Sequence, residues 1–167
     1  MSGTPVSHSG FPEARSASDI ARNVAAVLAR IAAACTRAAR DPTEVRLLPV
    51  SKTVAEDRIR MAYAAGLSAF GENKVQEARQ KAEAMADLSI VWSVIGHLQI
   101  NKAKYIARFA AEFQALDSLK LAEALDRRLQ IEGRSLDVFV QINSSGEVSK
   151  YGLAPEDATA FLRALSV

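Results

Sequence analysis

The chain has 167 residues, 49% of them apolar and 24% charged, with 21 basic and 19 acidic side chains and a formal net charge of +2. That length suits one domain with a substantial core. The near balance of charge, with basic residues scattered singly or in pairs, excludes an electrostatic case for nucleic acid. No apolar run approaches the roughly 18 residues of a membrane-spanning helix.

The first residues, MSGTPVSHSGFPEARSAS, lack the apolar centre of a secretory signal. Their Ser, Gly and Pro content predicts a disordered lead-in over 1–15, with one domain over 16–167. From residue 18 to 40 the apolar positions Ile20, Val24, Val27, Leu28 and Ile31 recur at helical spacing, with Ser18 as the expected N-cap and Asp41-Pro42 as the stop. The single cysteine, Cys35, sits in this Ala-rich pattern and reads as a packed bystander. One cysteine cannot form an internal disulfide, and a reducing cytoplasm is the simplest setting.

Beyond residue 44 the chain alternates. Strands are predicted at 45–50, 68–71, 89–96, 112–117 and 136–143, and helices at 55–66, 74–85, 101–109 and 119–131, with a last helix opened by Pro155. Pro49 is awkward in a strand because it removes a ladder donor. Short apolar strands separated by helices argue for βαβ units and a parallel sheet, either open or closed into a (β/α) barrel. No Gly-rich fingerprint follows the first strand, which weakens a dinucleotide-binding reading.

The predicted strand tips gather polar groups: Ser51-Lys52-Thr53, Gly71-Glu72-Asn73, Gly96-His97, Asp117-Ser118 and Asn143-Ser144-Ser145-Gly146. Parallel α/β folds place their sites at this end of the sheet. Lys52 stands out. If it shares a face with Val50 and Leu48 it enters a partly apolar pocket, where burial disfavours the ammonium form and frees an amine to attack an aldehyde. The plain alternative is a lysine reaching solvent from a strand end. Glu72 has two readings, orienting Lys52 or capping the next helix, and Trp92 reads as core.

VSKT at the first tip, FGENKVQEA (70–78), IGHLQINK (95–102), LDSLKLAEALDRR (116–128) and QINSSGEVSKYGL (141–153) occur in that order. Together they closely resemble the pyridoxal 5′-phosphate (PLP) homeostasis protein family over about residues 45–165. The resemblance implies a TIM-barrel-like fold of the alanine racemase N-terminal domain type, with PLP held as a Schiff base on a lysine. It implies a carrier or buffer of PLP in vitamin B6 balance rather than an enzyme. Lys52 matches the family's Schiff-base lysine, Asn73 matches a residue beside the cofactor, and His97 matches a motif at the same mouth. Asn143 and Lys150 match the fifth-tip motif, where ordering of the loop and ligand contact are both open.

Pro49, Ser93 and Tyr151 depart from the family's commoner residues. The sequence also ends at Val167, just after the helix that follows the fifth predicted strand. About five of eight βα units are therefore expected, without the family's SMGMS phosphate loop or its closing RIGTAIFG segment. The alternatives to a PLP-binding homeostasis protein are a partial barrel that binds PLP weakly or not at all, and a racemase-class PLP enzyme. Implied partners are PLP itself, PLP-dependent apoenzymes, and a second copy meeting open sheet edges.

Overall fold

The structure is a computed structural model that describes residues 11–165. The chain divides into two compact units, one running up to Pro49 and including Thr53–Ser68, the other formed by Val50–Lys52 and the chain from Ala69 onward.

The first unit contains helix α1 (Ala17–Arg37) packed on helix α2 (Glu56–Ala64). The N-cap of α1 is Ser16 rather than Ser18. Ser16 Oγ accepts from the Asp19 amide at 3.2 Å, and Asp19 Oδ2 accepts from the Ser16 amide at 3.1 Å. That reciprocal capping box satisfies two otherwise orphaned amides, which no arrangement starting at Ser18 matches. The helix ends at Arg37, three residues before the expected stop, where Ala39 turns left-handed at φ 50°. Asp41 instead caps a short 3-10 turn at Pro42–Glu44, accepting from the Thr43 amide. Cys35 is buried, as expected for a packed bystander. Of the predicted lead-in, residues 1–10 lie outside the described residues. Further along it, Asn23 donates to the Pro12 carbonyl and Arg58 to the Ala14 carbonyl.

The second unit is a parallel sheet in the order β1 (Ala69–Glu72), β2 (Val91–Val94), β3 (Glu112–Leu116), β4 (Asp137–Val140). Helices α3 (Val75–Ala84), α4 (Ala103–Phe109) and α5 (Leu119–Glu132) connect successive strands, and α6 (Ala158–Leu165) follows β4. The alternation of elements thus yields the parallel α/β sheet that it predicts. Its first member is corrected. Residues 45–50 form no named strand, and pairing is confined to a bridge between Val50 and Gly71, with the Ser51 amide donating to the Gly71 carbonyl at 2.9 Å. Pro49 has no N–H to give, so the pairing cannot extend back through it.

Register aligns Glu72 with Val94 and Val94 with Phe113. This face meets the helices: Val94, Phe113 and Leu116 pack with Val75 of α3, Ile106 of α4 and Leu121 of α5, all buried. Trp92 is core as expected, with its ring 6.1 Å from Phe70. On the opposite face the register partners Ser93 and Glu112 are also buried, and Ser93 Oγ donates to Glu112 Oε1 at 3.0 Å. Alternation along β2 and the start of β3 separates these two faces, and a register irregularity between Phe113 and Leu116 lets both residues join the core. Arg134, just past α5, donates to the carbonyls of Ala107 and Ala110 and so satisfies the carboxyl end of α4.

Phe113 is completely buried at the centre of this packing. Phe113→Ala is expected to cost about 3–5 kcal/mol, read as a lower urea midpoint of unfolding.

Candidate functional site

The carboxyl edge of the sheet is built outward from β1. Val50 pairs with Gly71 and the Ser51 amide donates to the Gly71 carbonyl, so the chain leaves this edge at Lys52, as β1 leaves it toward Asn73. On the other side of β1, the Ile95 amide donates to the Glu72 carbonyl at 2.9 Å, extending the pairing with β2. Gly96 then lies against the backbone of Asn73. A Cβ at Gly96 would sit 2.2 Å from the Asn73 carbonyl oxygen, so no larger residue fits without moving that tip. His97 follows directly. The fold therefore brings Lys52, Asn73 and His97 to three successive tips of one edge.

Lys52 does not enter a pocket. Its side chain is exposed, and Val50, two residues back, is itself 48% exposed, so the surface they share is open. The turn behind Lys52 is unusual, because Thr53 adopts a left-handed φ of 61°. A β-branched residue rarely takes that conformation, which costs on the order of 1–3 kcal/mol and persists only where neighbouring structure enforces it.

The residue before Lys52 is firmly held. Ser51 is buried, and its hydroxyl donates to Glu72 Oε1 at 2.6 Å. The Lys81 ammonium, on α3, donates to the Ser51 carbonyl, to Glu72 Oε1 and to Glu77 Oε1, each at 2.7 Å. Glu72 is fully buried and Lys81 is 5% exposed. Of the two expected roles of Glu72, capping is not seen: α3 has Lys74 at its N-cap with no side-chain bond, and the Glu72 carboxylate meets Ser51 and Lys81 rather than Lys52 itself. The signal available in the sequence was spacing. Glu77 and Lys81 are an i,i+4 pair, and Lys81 falls on the same α3 face as the buried Ala78.

Burial alone lowers the pKa of Lys81 and is the largest single influence. The hydrogen bonds and charges of Glu72 and Glu77 together outweigh it, so the pKa lies above the ordinary 10.5.

At the third tip, the His97 ring stacks on Tyr151, with centroids 3.7 Å apart and planes within 8°. His97 Nδ1 lies 3.5 Å from Asp117 Oδ2. At the same level Ser118 takes the cap of α5 and leaves Asp117 beside the histidine. Asn143 serves its own loop, donating to the Glu147 carbonyl at 2.9 Å, while Lys150 pairs with Glu147. Among the described residues no group of three or more His, Cys, Asp or Glu is placed to hold a metal ion.

The edge thus offers an exposed amine, an amide and a stacked imidazole. Residues 22–167 match the family described as "Alanine racemase, N-terminal domain", and the chain belongs to it. Within that family its relatives are pyridoxal phosphate homeostasis proteins, the group that the five motifs resemble. The protein of that name from Pseudomonas aeruginosa is 45% identical over 128 residues, covering 77% of this chain and 56% of the relative. The one from Aquifex aeolicus is 40% identical over 121 residues, covering 72% and 53%. The chain thus spans about half the length of the curated relatives it matches.

Two solved structures of PipY from Synechococcus elongatus, one without PLP and one with PLP bound, are each 36% identical to the chain. Their TM-scores are 0.76 and 0.72, and the match covers 88% of this chain and 64% of theirs. Alanine racemase from Oenococcus oeni, 17% identical with a TM-score of 0.58, shares the fold.

Two outcomes check this geometry. Gly96→Ala should cost about 1–3 kcal/mol by forcing the Asn73 backbone aside, measured by chemical denaturation. Lys81→Met should cost about 3–5 kcal/mol, because it leaves Glu72 buried without its partner. Because the folded protein holds the Lys81 proton more tightly than the unfolded chain, the stabilisation is complete below pH 10.5. It is lost as pH rises through the folded-state pKa. The gap in thermal midpoint between wild type and Lys81→Met should therefore narrow in strongly alkaline buffer.

Proposed function

We propose that this chain binds pyridoxal 5′-phosphate through the Lys52 amine and serves in PLP homeostasis. The observation that carries the reading is the exposed Lys52 side chain at the carboxyl edge of the sheet, in a chain whose relatives include a structure with PLP bound. The residues fit the group: an accessible amine for the aldehyde, the Asn73 amide as a hydrogen-bonding neighbour, and the flat His97–Tyr151 stack one tip further on.

The cofactor supplies an electrophilic aldehyde carbon. Lys52 Nζ would be the group that holds it, by reversible condensation with that aldehyde and loss of its oxygen as water. Asn73 would offer its amide as a hydrogen-bonding group to the ligand. His97, held between Tyr151 and Asp117, presents a rigid wall rather than a mobile side chain. The role is holding and release rather than turnover, with PLP-dependent apoenzymes as recipients, in the reducing cytoplasm to which a single buried cysteine is suited.

Incubation with PLP, borohydride reduction and peptide mapping should place the adduct on Lys52. Lys52→Ala should lose that adduct and most of the bound PLP. Equal labelling in the variant would overturn the assigned anchor, and racemisation of alanine by the same sample would replace the carrier role with an enzymatic one.

A further inference from the structure

Ser51 is held at every polar atom it possesses. Its amide donates to the Gly71 carbonyl, its hydroxyl to Glu72 Oε1, and its carbonyl accepts from Lys81. The Ser51 carbonyl and the Lys52 nitrogen belong to one planar peptide unit, so fixing the oxygen fixes the plane from which the Lys52 Cα projects. The chain passes from this clamp to an exposed Lys52 and a left-handed Thr53 within two residues.

The clamp is costly as packing. Glu72 Oε2 is buried without a hydrogen-bond partner, and buried ion pairs are commonly no more stabilising than apolar residues of similar size. All three Lys81 protons are spent on Ser51, Glu72 and Glu77. A group that only filled space between β1 and α3 would need neither the charge nor the reach to a neighbouring segment's carbonyl.

We propose that Glu72 and Lys81 are positioning residues that set the direction in which Lys52 presents its amine. This deepens the reading of Lys52 as the PLP anchor and rests on it for its chemical consequence. Ser51 transmits the constraint: Lys81 holds its carbonyl and Glu72 its hydroxyl, while α3 carries Lys81 to the strand tip.

The test uses the full chain as wild type, Lys81→Met, Glu72→Gln with Lys81→Met, and Arg79→Ala, which removes the exposed Arg79–Glu83 pair on the same helix and the Arg79–Tyr105 contact but none of the Lys81 bonds. Three quantities are followed: the rate of borohydride-trapped adduct at Lys52 with added PLP, hydrogen exchange at the amides of residues 51–53, and the thermal midpoint. Lys81→Met should slow adduct formation about tenfold or more, accelerate exchange at 51–53 and lower the midpoint. The double variant leaves no unpaired buried charge, so it should recover much of the midpoint yet remain slow at Lys52 and fast in exchange. Arg79→Ala should resemble wild type in all three.

Recovery of rate and midpoint together in the double variant would show that the pair only supports the fold, and would overturn the proposal. Unchanged exchange at 51–53 in every variant would overturn it as well. If wild type forms no adduct at Lys52 but the exchange contrast persists, the anchor reading falls while the positioning of the segment stands.

Discussion

A single ammonium group, Lys81 Nζ, joins three parts of the sheet unit: α3 through Glu77, β1 through Glu72, and the segment bearing Lys52 through the Ser51 carbonyl. Such a group is held only where its charge and all its protons are matched, since an unpaired charge out of water costs several kcal/mol. The match is made by Glu72, which sits on the helix-facing side of β1 beside the register partner Val94. The connection between strand pairing and the exposed lysine therefore runs through one buried carboxylate.

The carboxyl edge depends on a second constraint, close approach of backbone. Gly96 lets the β2 tip rest against the Asn73 carbonyl, which puts His97 next to the tip that carries Asn73. Tyr151 then stacks on the imidazole, and Asp117 Oδ2 lies 3.5 Å from its Nδ1. A ring fixed on both sides loses little freedom when a flat ligand arrives, which is the use of preorganisation at a binding edge. The tips are ordered in space as they are in sequence because each parallel strand is joined to its neighbour by one helix.

Much of this was legible beforehand. The alternation of short apolar runs with helical periodicity gives β1 to β4 and α3 to α5 within a few residues, because strands covered by helices need apolar side chains at fixed spacing. Pro49 signalled the weak member, and the structure reduces that segment to a bridge at Val50. The N-cap of α1 was misplaced by two residues, since Ser16 and Ser18 offer the same hydroxyl and only Asp19 reaching back to the Ser16 amide selects between them. The apolar pocket around Lys52 was not found, because strand parity says which residues share a face but not what covers that face.

By itself the sequence determined the kinds of groups that meet at the edge: an amine after Ser51, an amide after Glu72 and an imidazole after Gly96. It determined their order too, since local pattern fixes the elements and parallel connection fixes the succession of tips. Tertiary structure decided the partnerships. Glu72 is 21 residues from Ser51 and 9 from Lys81, and nothing local tells a carboxylate which hydroxyl or ammonium it will meet. That choice follows from how α3 lies against β1, and through it the fold settles how Lys52 leaves the sheet.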